Sequence, residues 1–190
     1  MKISQALADR LPSYKMIMQY KSHRMIHPVY SLNEIEKVAN PHKKPDKIRD
    51  YIAIGFLKAL RGTFEYVTRF NEEKMTEKQW VTRTIFLETV ASVPGFVAAM
   101  HRHMRSLRTM QRDHGWIHHL LEESENERVH LFTFLHLSTP GLLTRMMVVV
   151  AQGIFFNSYF LAYMLSPKFC HTFVGYLEEQ AVHTYTILLR

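Results

Sequence analysis

The feature that most constrains the fold is a carboxylate and an imidazole on the same apolar stripe of one helical stretch. The pair is Glu127 and His130, within the sequence EESENERVHLFTFLHL of residues 122–137. On a helix, positions i and i+3 lie about 60° apart, so both side chains project from one face. An unpaired charge on a core-facing stripe is strongly unfavourable, so this acid needs a partner. The stripe consists of Leu120, Glu123, Glu127, His130, Phe134 and Leu137.

Two interpretations of this pair stay open at this point. In the simpler one, the helix lies at the surface and Glu127 forms an ion pair with Arg128 or another neighbour. In the other, the pair binds a metal ion, because Glu-x-x-His on inward-facing helices is the ligand pattern of di-iron carboxylate bundles. The motif alone is too common to decide between them.

The composition predicts an all-α fold. Hydrophobic residues make up 47% of the 190 residues, and only 7 Gly and 7 Pro interrupt them. No run of alternating apolar residues between turn signals is typical of a sheet. The single cysteine, Cys170, excludes an internal disulfide and a Cys-based zinc site, and it favours a reducing compartment.

The net charge of +7 indicates an anionic partner. Nucleic acid and an anionic lipid surface are the two candidates. The sequence has no RNA-binding signature, zinc-finger spacing or helix-turn-helix candidate, so we expect lipid and no nucleic acid.

The chain divides into an N-terminal arm, residues 1–45, and a helical domain, residues 46–190. The arm is basic and rich in Met, as a mitochondrial targeting segment or its remnant would be, and it ends in the linker NPHKKP. Hydrophobic periodicity and capping residues predict five helices in the domain. They span Asp46–Phe70, Glu77–Met110 with Thr76 as its cap, Trp116–Leu137, Gly141–Leu165, and a final segment that opens at Pro167.

Two of these helices have compositions suited to a membrane surface. Asp46–Phe70 has a broad apolar face with basic edges, which suits either a membrane interface or a bundle. Residues 146–167 carry no charge and are long enough to span a bilayer. Because Gln152 and Asn157 lie in the middle of this run, we expect a buried or half-immersed helix rather than a span.

Two further acids occur on apolar helices. Glu88 is the only charge within residues 84–100, so it is protonated, paired with Arg83, or bound to a metal. Glu178 shares a helical face with Tyr185. Three helices thus each carry an acid on an apolar stripe, and this coincidence favours the metal interpretation.

Three motifs carry a resemblance to a known family. They are Arg83-x-x-x-LETVA ending at Ala91, NERVHL at residues 126–131, and LEEQAV at residues 177–182 followed by TYT. In order and interval they resemble the alternative oxidases, from about His42 onward. The sequences RDHGWI and LSPKF are closest in flavour to trypanosomal members.

The resemblance implies an enzyme: a cyanide-insensitive, non-proton-pumping ubiquinol oxidase that reduces dioxygen to water. It implies a ferritin-like di-iron four-helix bundle with additional membrane-surface helices, in a homodimer on the matrix side of the mitochondrial inner membrane. Two iron ions are the expected cofactor. The implied iron ligands are Glu88, Glu127, His130 and Glu178. Tyr185 is the implied redox tyrosine, and Arg61, Arg83, Leu87, Ala181 and Thr184 border the implied quinol pocket.

One departure from the family pattern bears on activity. The family has a second Glu-x-x-His after the helix that carries Tyr185, and nothing follows Arg190 here. We therefore expect a C-terminally truncated chain without the last bundle helix. The alternative is a catalytically inactive, membrane-surface member of the same fold with an incomplete metal site. A soluble ferritin-like iron-handling protein is a third hypothesis, against which the two apolar helices argue.

Overall fold

All regular structure in the described part of the chain is helical. The computed structural model describes residues 44–68 and 75–188, with side chains through residue 186. Its helices are α1 (Ile48–Thr68), α2 (Glu77–Thr109), α3 (Trp116–Leu135), α4 (Leu142–Leu165) and α5 (Pro167–Leu188). The predicted all-α class is confirmed, and so are the predicted starts of α2, α3 and α5. Nearly all of the predicted arm, residues 1–45, lies outside the described residues.

Helix α2 is the central element, and it packs against α3, α4 and α5. It begins in a capping box: the Thr76 side chain accepts from the Gln79 backbone N–H, and Gln79 accepts from the Thr76 N–H at 2.9 Å. It ends at Met110, which adopts a left-handed conformation with φ 52°. The predicted cap at Thr76 is therefore confirmed.

Helices α2 and α3 approach each other closely and run antiparallel. A Cβ added at Gly95 would lie 2.7 Å from the backbone oxygen of Leu120, so only glycine fits there without a shift. One turn away, the Ser124 hydroxyl donates to the Ser92 carbonyl at 2.8 Å. Small residues at this crossing thus fix the register of α3 against α2.

The core lies where α2, α4 and α5 meet. Helix α4 runs in the same direction as α2, because Gln152 donates to the Thr89 carbonyl at 2.7 Å and Phe160 contacts His101. Buried apolar side chains fill the space between these helices. They are Val93, Val97, Ala98, Ala99, Tyr159, Tyr163, Cys170, Phe173 and Tyr176, with Leu120, Ala53 and Leu57 at the edges.

Helices α1 and α4 leave most of their apolar surface exposed. Helix α4 buries only Tyr159 and Tyr163, and 11% of its most apolar stretch is buried in the bundle. Of the two alternatives expected for α4, full burial is therefore wrong, because its packing on α2 and α5 covers a narrow stripe, and the half-immersed helix stays a prediction. Both α2 and α4 are long and apolar enough to cross a membrane, but half of the α2 stretch is buried, as in a core helix. The exposed side chains of α4 include Leu142, Leu143, Met146, Met147, Val150, Ile154, Leu161 and Met164.

Candidate metal centre

Three of the predicted ligands converge where α2 faces α3. Ligand atoms of Glu88, Glu127 and His130 all lie within 4.8 Å of one another. Nδ1 of His130 is 3.5 Å from Oε2 of Glu88 and 3.5 Å from Oε2 of Glu127. The spacing within α3 places Glu127 and His130 on one face, as the sequence predicts.

The helix crossing positions these groups. Ser92 of α2 bonds to Ser124 of α3. Glu88 lies one turn before Ser92 on α2, and Glu127 lies one turn after Ser124 on α3. Because the glycine and serine crossing holds the backbones close, the carboxylates at the next level face each other across a short gap.

Tyr185 brings α5 into the cluster. Its hydroxyl donates a hydrogen bond to Oε1 of Glu88. Its ring stacks on Phe134 of α3, with centroids 6.0 Å apart and planes inclined by 19°. The phenol is thus held against the acid from one side and supported by an aromatic ring on the other.

The acids strongly perturb each other. The pKa of Glu88 is raised to about 9, chiefly by burial, and the neighbouring carboxyl groups of Glu127 and Glu178 contribute to this shift. Burial likewise raises the pKa of Glu178 to about 7, with Glu127 and Glu123 as additional causes. Glu178 therefore belongs to the same electrostatic cluster, although the three converging ligand atoms come from the other residues.

The donor set fits a metal ion. Oε2 of Glu88 is buried and has no hydrogen-bond partner in the described part of the chain. Carboxylate oxygens and an imidazole nitrogen are ligands that iron accepts, and a cation among crowded acids would remove their mutual repulsion. His130 is 44% exposed, so the cluster is open on that side.

The surface interpretation named Arg128 as one possible partner of Glu127, and Arg128 turns to another acid. Arg128 instead pairs with Glu125 at 3.2 Å, and its guanidinium lies over the ring of Phe132. Glu127 itself is half-buried and faces His130 and Glu88. The apolar stripe turns it inward, as the metal interpretation requires.

The two arginines of the predicted quinol pocket lie around one acid, Glu65 of α1. Arg61 contacts Glu65 at 2.6 Å and donates to Gln180 of α5. Arg83 is buried, 3.9 Å from Glu65, and its guanidinium lies 4.7 Å from the centre of the Phe64 ring.

The other three predicted pocket residues lie nearer the metal cluster. Leu87 directly precedes Glu88 on α2, and it is half-buried. Ala181 and Thr184 are half-buried on α5, within one turn of Tyr185, and the Thr184 hydroxyl donates to the Gln180 carbonyl.

Sequence reasoning missed the central position of Glu65 and the stacking role of Phe134. The i, i+4 spacing of Arg61 and Glu65 was the sequence signal that could have indicated the position of Glu65. The second depends on how α5 packs against α3, which no local pattern encodes.

The fold and the cluster together define a helical bundle that brings together carboxylate and imidazole groups able to hold a metal ion. The family model for alternative oxidase matches residues 30–190. A mitochondrial alternative oxidase of Aspergillus niger is 51% identical over 171 residues, covering 85% of this chain and 49% of the relative. One of Emericella nidulans is 50% identical over 170 residues, covering 84% and 48%. One of Wickerhamomyces anomalus is 45% identical over 188 residues, covering 90% and 55%.

The chain belongs to the alternative oxidase family. It spans about half the length of the curated relatives it matches.

Proposed function

We propose that the chain is the metal-binding and quinol-binding part of a mitochondrial ubiquinol oxidase that reduces dioxygen to water. The observation that carries this proposal is the convergence of Glu88, Glu127 and His130, with the Tyr185 phenol bonded to Glu88. Family membership supports the oxidase class.

Glu88, Glu127 and His130 would hold iron, and Glu178, which belongs to the same electrostatic cluster, would join them. Iron bound in pairs supplies the electron-transfer chemistry that dioxygen reduction needs, by the cyanide-insensitive and non-pumping route typical of the family. Carboxylates are hard, anionic ligands, so these residues would suit iron in its oxidised states.

Tyr185 would serve as the redox tyrosine of the site. Its hydroxyl donates a hydrogen bond to Oε1 of Glu88, so the phenol can exchange a proton with a proposed metal ligand. Stacking on Phe134 fixes the ring and keeps water from one face. The residue is a positioned donor rather than a packing residue.

The quinol would bind between α1, α2 and α5. Arg61, Glu65 and Arg83 supply a few polar groups at the end of an otherwise apolar approach, as quinol-sized ligands require. Arg83 lies five residues before Glu88 on α2, which places this polar group near the metal cluster. Leu87, Ala181 and Thr184 would line the path between them.

The exposed apolar faces of α1 and α4 would lie in the membrane interface, in a monotopic protein on the matrix side of the inner membrane. Lys47, Lys58 and Arg145 at the edges of these faces suit anionic headgroups. Exposed apolar side chains on α2 and α3 support a homodimer. They include Phe96, Met104, Leu107, Leu121, Val129 and Phe132.

The test is the Tyr185→Phe variant, with Tyr51→Phe, an exposed tyrosine of α1, as the matched control. We expect Tyr185→Phe to lose ubiquinol-dependent oxygen uptake in the presence of cyanide while iron stays bound. The control should keep both. Unchanged uptake in Tyr185→Phe would remove this residue from the reaction, and lost iron would make its role structural.

A further inference from the structure

The two halves of α1 are held to the bundle in different ways. In the first half, Ala53 and Leu57 are buried in the core. In the second half, residues 58–68, no side chain is buried. Three of its side chains are half-buried, and they are Arg61, Phe64 and Glu65. Core packing therefore anchors the first half, whereas the second half is held by a few side-chain contacts.

Two of these side chains reach across to α2. The ring of Phe64 stacks on that of Phe86, with centroids 5.4 Å apart and planes inclined by 12°. The carboxylate of Glu65 lies 3.9 Å from the Arg83 guanidinium. We call these two contacts the latch, because together they hold the second half of α1 against α2.

The latch consists of side chains alone. In the described part of the chain, no Cα atom of α1 lies within 8 Å of a Cα atom of α2. A partly exposed ion pair and a stacked pair of rings are each weak interactions. The latch can therefore open while the backbones of the bundle keep their packing.

Gly62 lies where the two kinds of attachment meet. Arg61, just before it, donates a hydrogen bond to Gln180 of α5, whereas the latch residues after it contact α2. A Cβ added at Gly62 would meet nothing within 4 Å, so no close packing requires glycine there. Because glycine weakens a helix interior relative to alanine, α1 bends more easily at this position than elsewhere in its second half.

The outer face of this segment is apolar. Tyr66 is 86% exposed and Val67 is 67% exposed. With the exposed face of α1 in the membrane interface, as proposed above, the seam between α1 and α2 would open toward lipid. A quinol carries a lipid tail, so it would reach the seam from that side.

We propose that residues 63–68 of α1 form a gate for the quinol, which opens toward the membrane by bending at Gly62 and closes through the latch. The proposal rests on the proposed oxidase function, in which Glu65 and Arg83 supply polar groups to the quinol pocket. A quinol hydroxyl that bonds to the Arg83 guanidinium competes with Glu65 for it. Entry of the substrate and opening of the latch are thereby coupled.

Opening of the gate can be measured in the full chain without metal or quinol. Hydrogen–deuterium exchange in detergent, followed by mass spectrometry, reports the amides of the gate separately from those of residues 50–57. We expect Phe86→Ala to speed exchange in the gate at least about threefold, because it removes the stacked pair, and to leave residues 50–57 unchanged. Phe96→Ala, which truncates an exposed ring of the same helix, should change neither. An unchanged gate in Phe86→Ala, or equal acceleration in both halves of α1, would overturn the proposal.

A pair of glycine substitutions tests the bending point. A Cβ at Gly62 or at Gly55 meets nothing within 4 Å, so alanine at either position changes mainly the freedom of the backbone. Gly62→Ala should slow exchange in the gate about two- to fivefold. Gly55→Ala, in the anchored half, should leave exchange in the gate unchanged. No slowing in Gly62→Ala, or equal slowing in both variants, would exclude a gate that bends at Gly62.

A reversible cross-link tests whether the gate controls turnover. In the double variant Phe64→Cys and Phe86→Cys, a bifunctional thiol reagent that a reductant cleaves can join α1 to α2, and the buried Cys170 is protected from it. We expect the cross-link to abolish ubiquinol-dependent oxygen uptake at unchanged iron content, and the reductant to restore it. Phe64→Cys alone, treated with the same reagent, should keep its uptake.

Full oxygen uptake by the cross-linked protein would contradict the gate. Absence of uptake in the wild type would contradict the oxidase function instead. The exchange rates distinguish these two failures, because they are measured without iron or quinol and depend only on the motion of α1.

Discussion

Helices α2 and α4 have similar apolar character and opposite environments. Each is long and apolar enough to cross a membrane, but half of the apolar stretch of α2 is buried in the bundle, against 11% of that of α4. The difference lies in a few residues. Helix α2 has Gly95 at a contact that no side chain fits and Glu88 facing other acids, whereas a Cβ at Gly153 of α4 would meet nothing within 4 Å. Hydropathy alone therefore does not show whether an apolar helix is buried in the bundle. Small residues and a lone acid distinguish the buried helix from the exposed one.

The largest expected effect is a loss of oxygen uptake that leaves membrane association intact. On the proposed oxidase function, we expect Glu127→Ala and His130→Ala, on the face that meets α2, to abolish quinol-dependent oxygen uptake, because each removes a group that converges on Glu88. Both variants should still pellet with membranes, because α4 is untouched. Turnover is measured as oxygen uptake by membranes from cells that express each variant. Membrane association is measured by sedimentation. Turnover that persists in either variant would place the site elsewhere.

Substitutions on the exposed apolar face of α4 should weaken membrane binding. Val150→Ser combined with Ile154→Ser removes two exposed apolar side chains. Since a fully buried side chain of this kind is worth about 1.5–3 kcal/mol, we expect vesicle binding to weaken at least about tenfold for each. Binding is measured by flotation with phosphatidylcholine vesicles that contain phosphatidylglycerol. Val182→Ser, at an exposed position of α5, is the matched control and should bind as the wild type does. Equal weakening in the control would mean that α4 has no special role.

A pair of glycine substitutions compares the packing of the two helices directly. Gly95→Ala forces a Cβ to within 2.7 Å of the Leu120 carbonyl and 3.2 Å of the Ser124 nitrogen, so we expect a loss of about 1–3 kcal/mol in unfolding free energy. Gly153→Ala in α4 meets nothing and should gain roughly 0.5–1 kcal/mol from helix propensity. Thermal unfolding in detergent measures both. Loss of stability in both variants would show that Gly153 has no more room for a side chain than Gly95 has.

The last expected effect is the pH dependence of the metal-free protein. The folded-state pKa is raised to about 9 for Glu88 and to about 7 for Glu178, from 4.5. The unfolded chain therefore ionises first as pH rises, and the folded state loses stability from about pH 4.5 upward until these groups ionise too. We expect a higher melting temperature at pH 5 than at pH 8, and a smaller difference in Glu88→Gln. A melting temperature that rises over this interval would contradict the raised pKa values.

Much of the fold was predictable because it is local. Thr76 as a cap, the start of α5 at Pro167 and the inward face of Glu127 all follow from neighbouring residues and helical periodicity. Glu88 was recognisable as unusual because it is the only charge in an apolar run. The choice between a buried and a half-immersed α4 was not predictable, since a charge-free helix looks the same whether protein or lipid covers it.

The arrangement of the site was less predictable, because its contacts join helices far apart in sequence. Tyr185 and Glu88 are 97 residues apart, and their hydrogen bond depends on the packing of α5 against α2. Glu65 lies between two arginines that come from different helices. The resemblance to a family supplied the site residues, and local physics alone left three fates open for Glu88.

The most direct test of the metal assignment is the iron content of purified, detergent-solubilised protein, wild type against Glu127→Ala. If Glu88, Glu127 and His130 hold iron, the wild type retains it through gel filtration and Glu127→Ala loses it. Glu125→Ala, which removes the exposed partner of Arg128 on the same helix, should retain iron as the wild type does. Equal iron in wild type and Glu127→Ala would contradict the assignment.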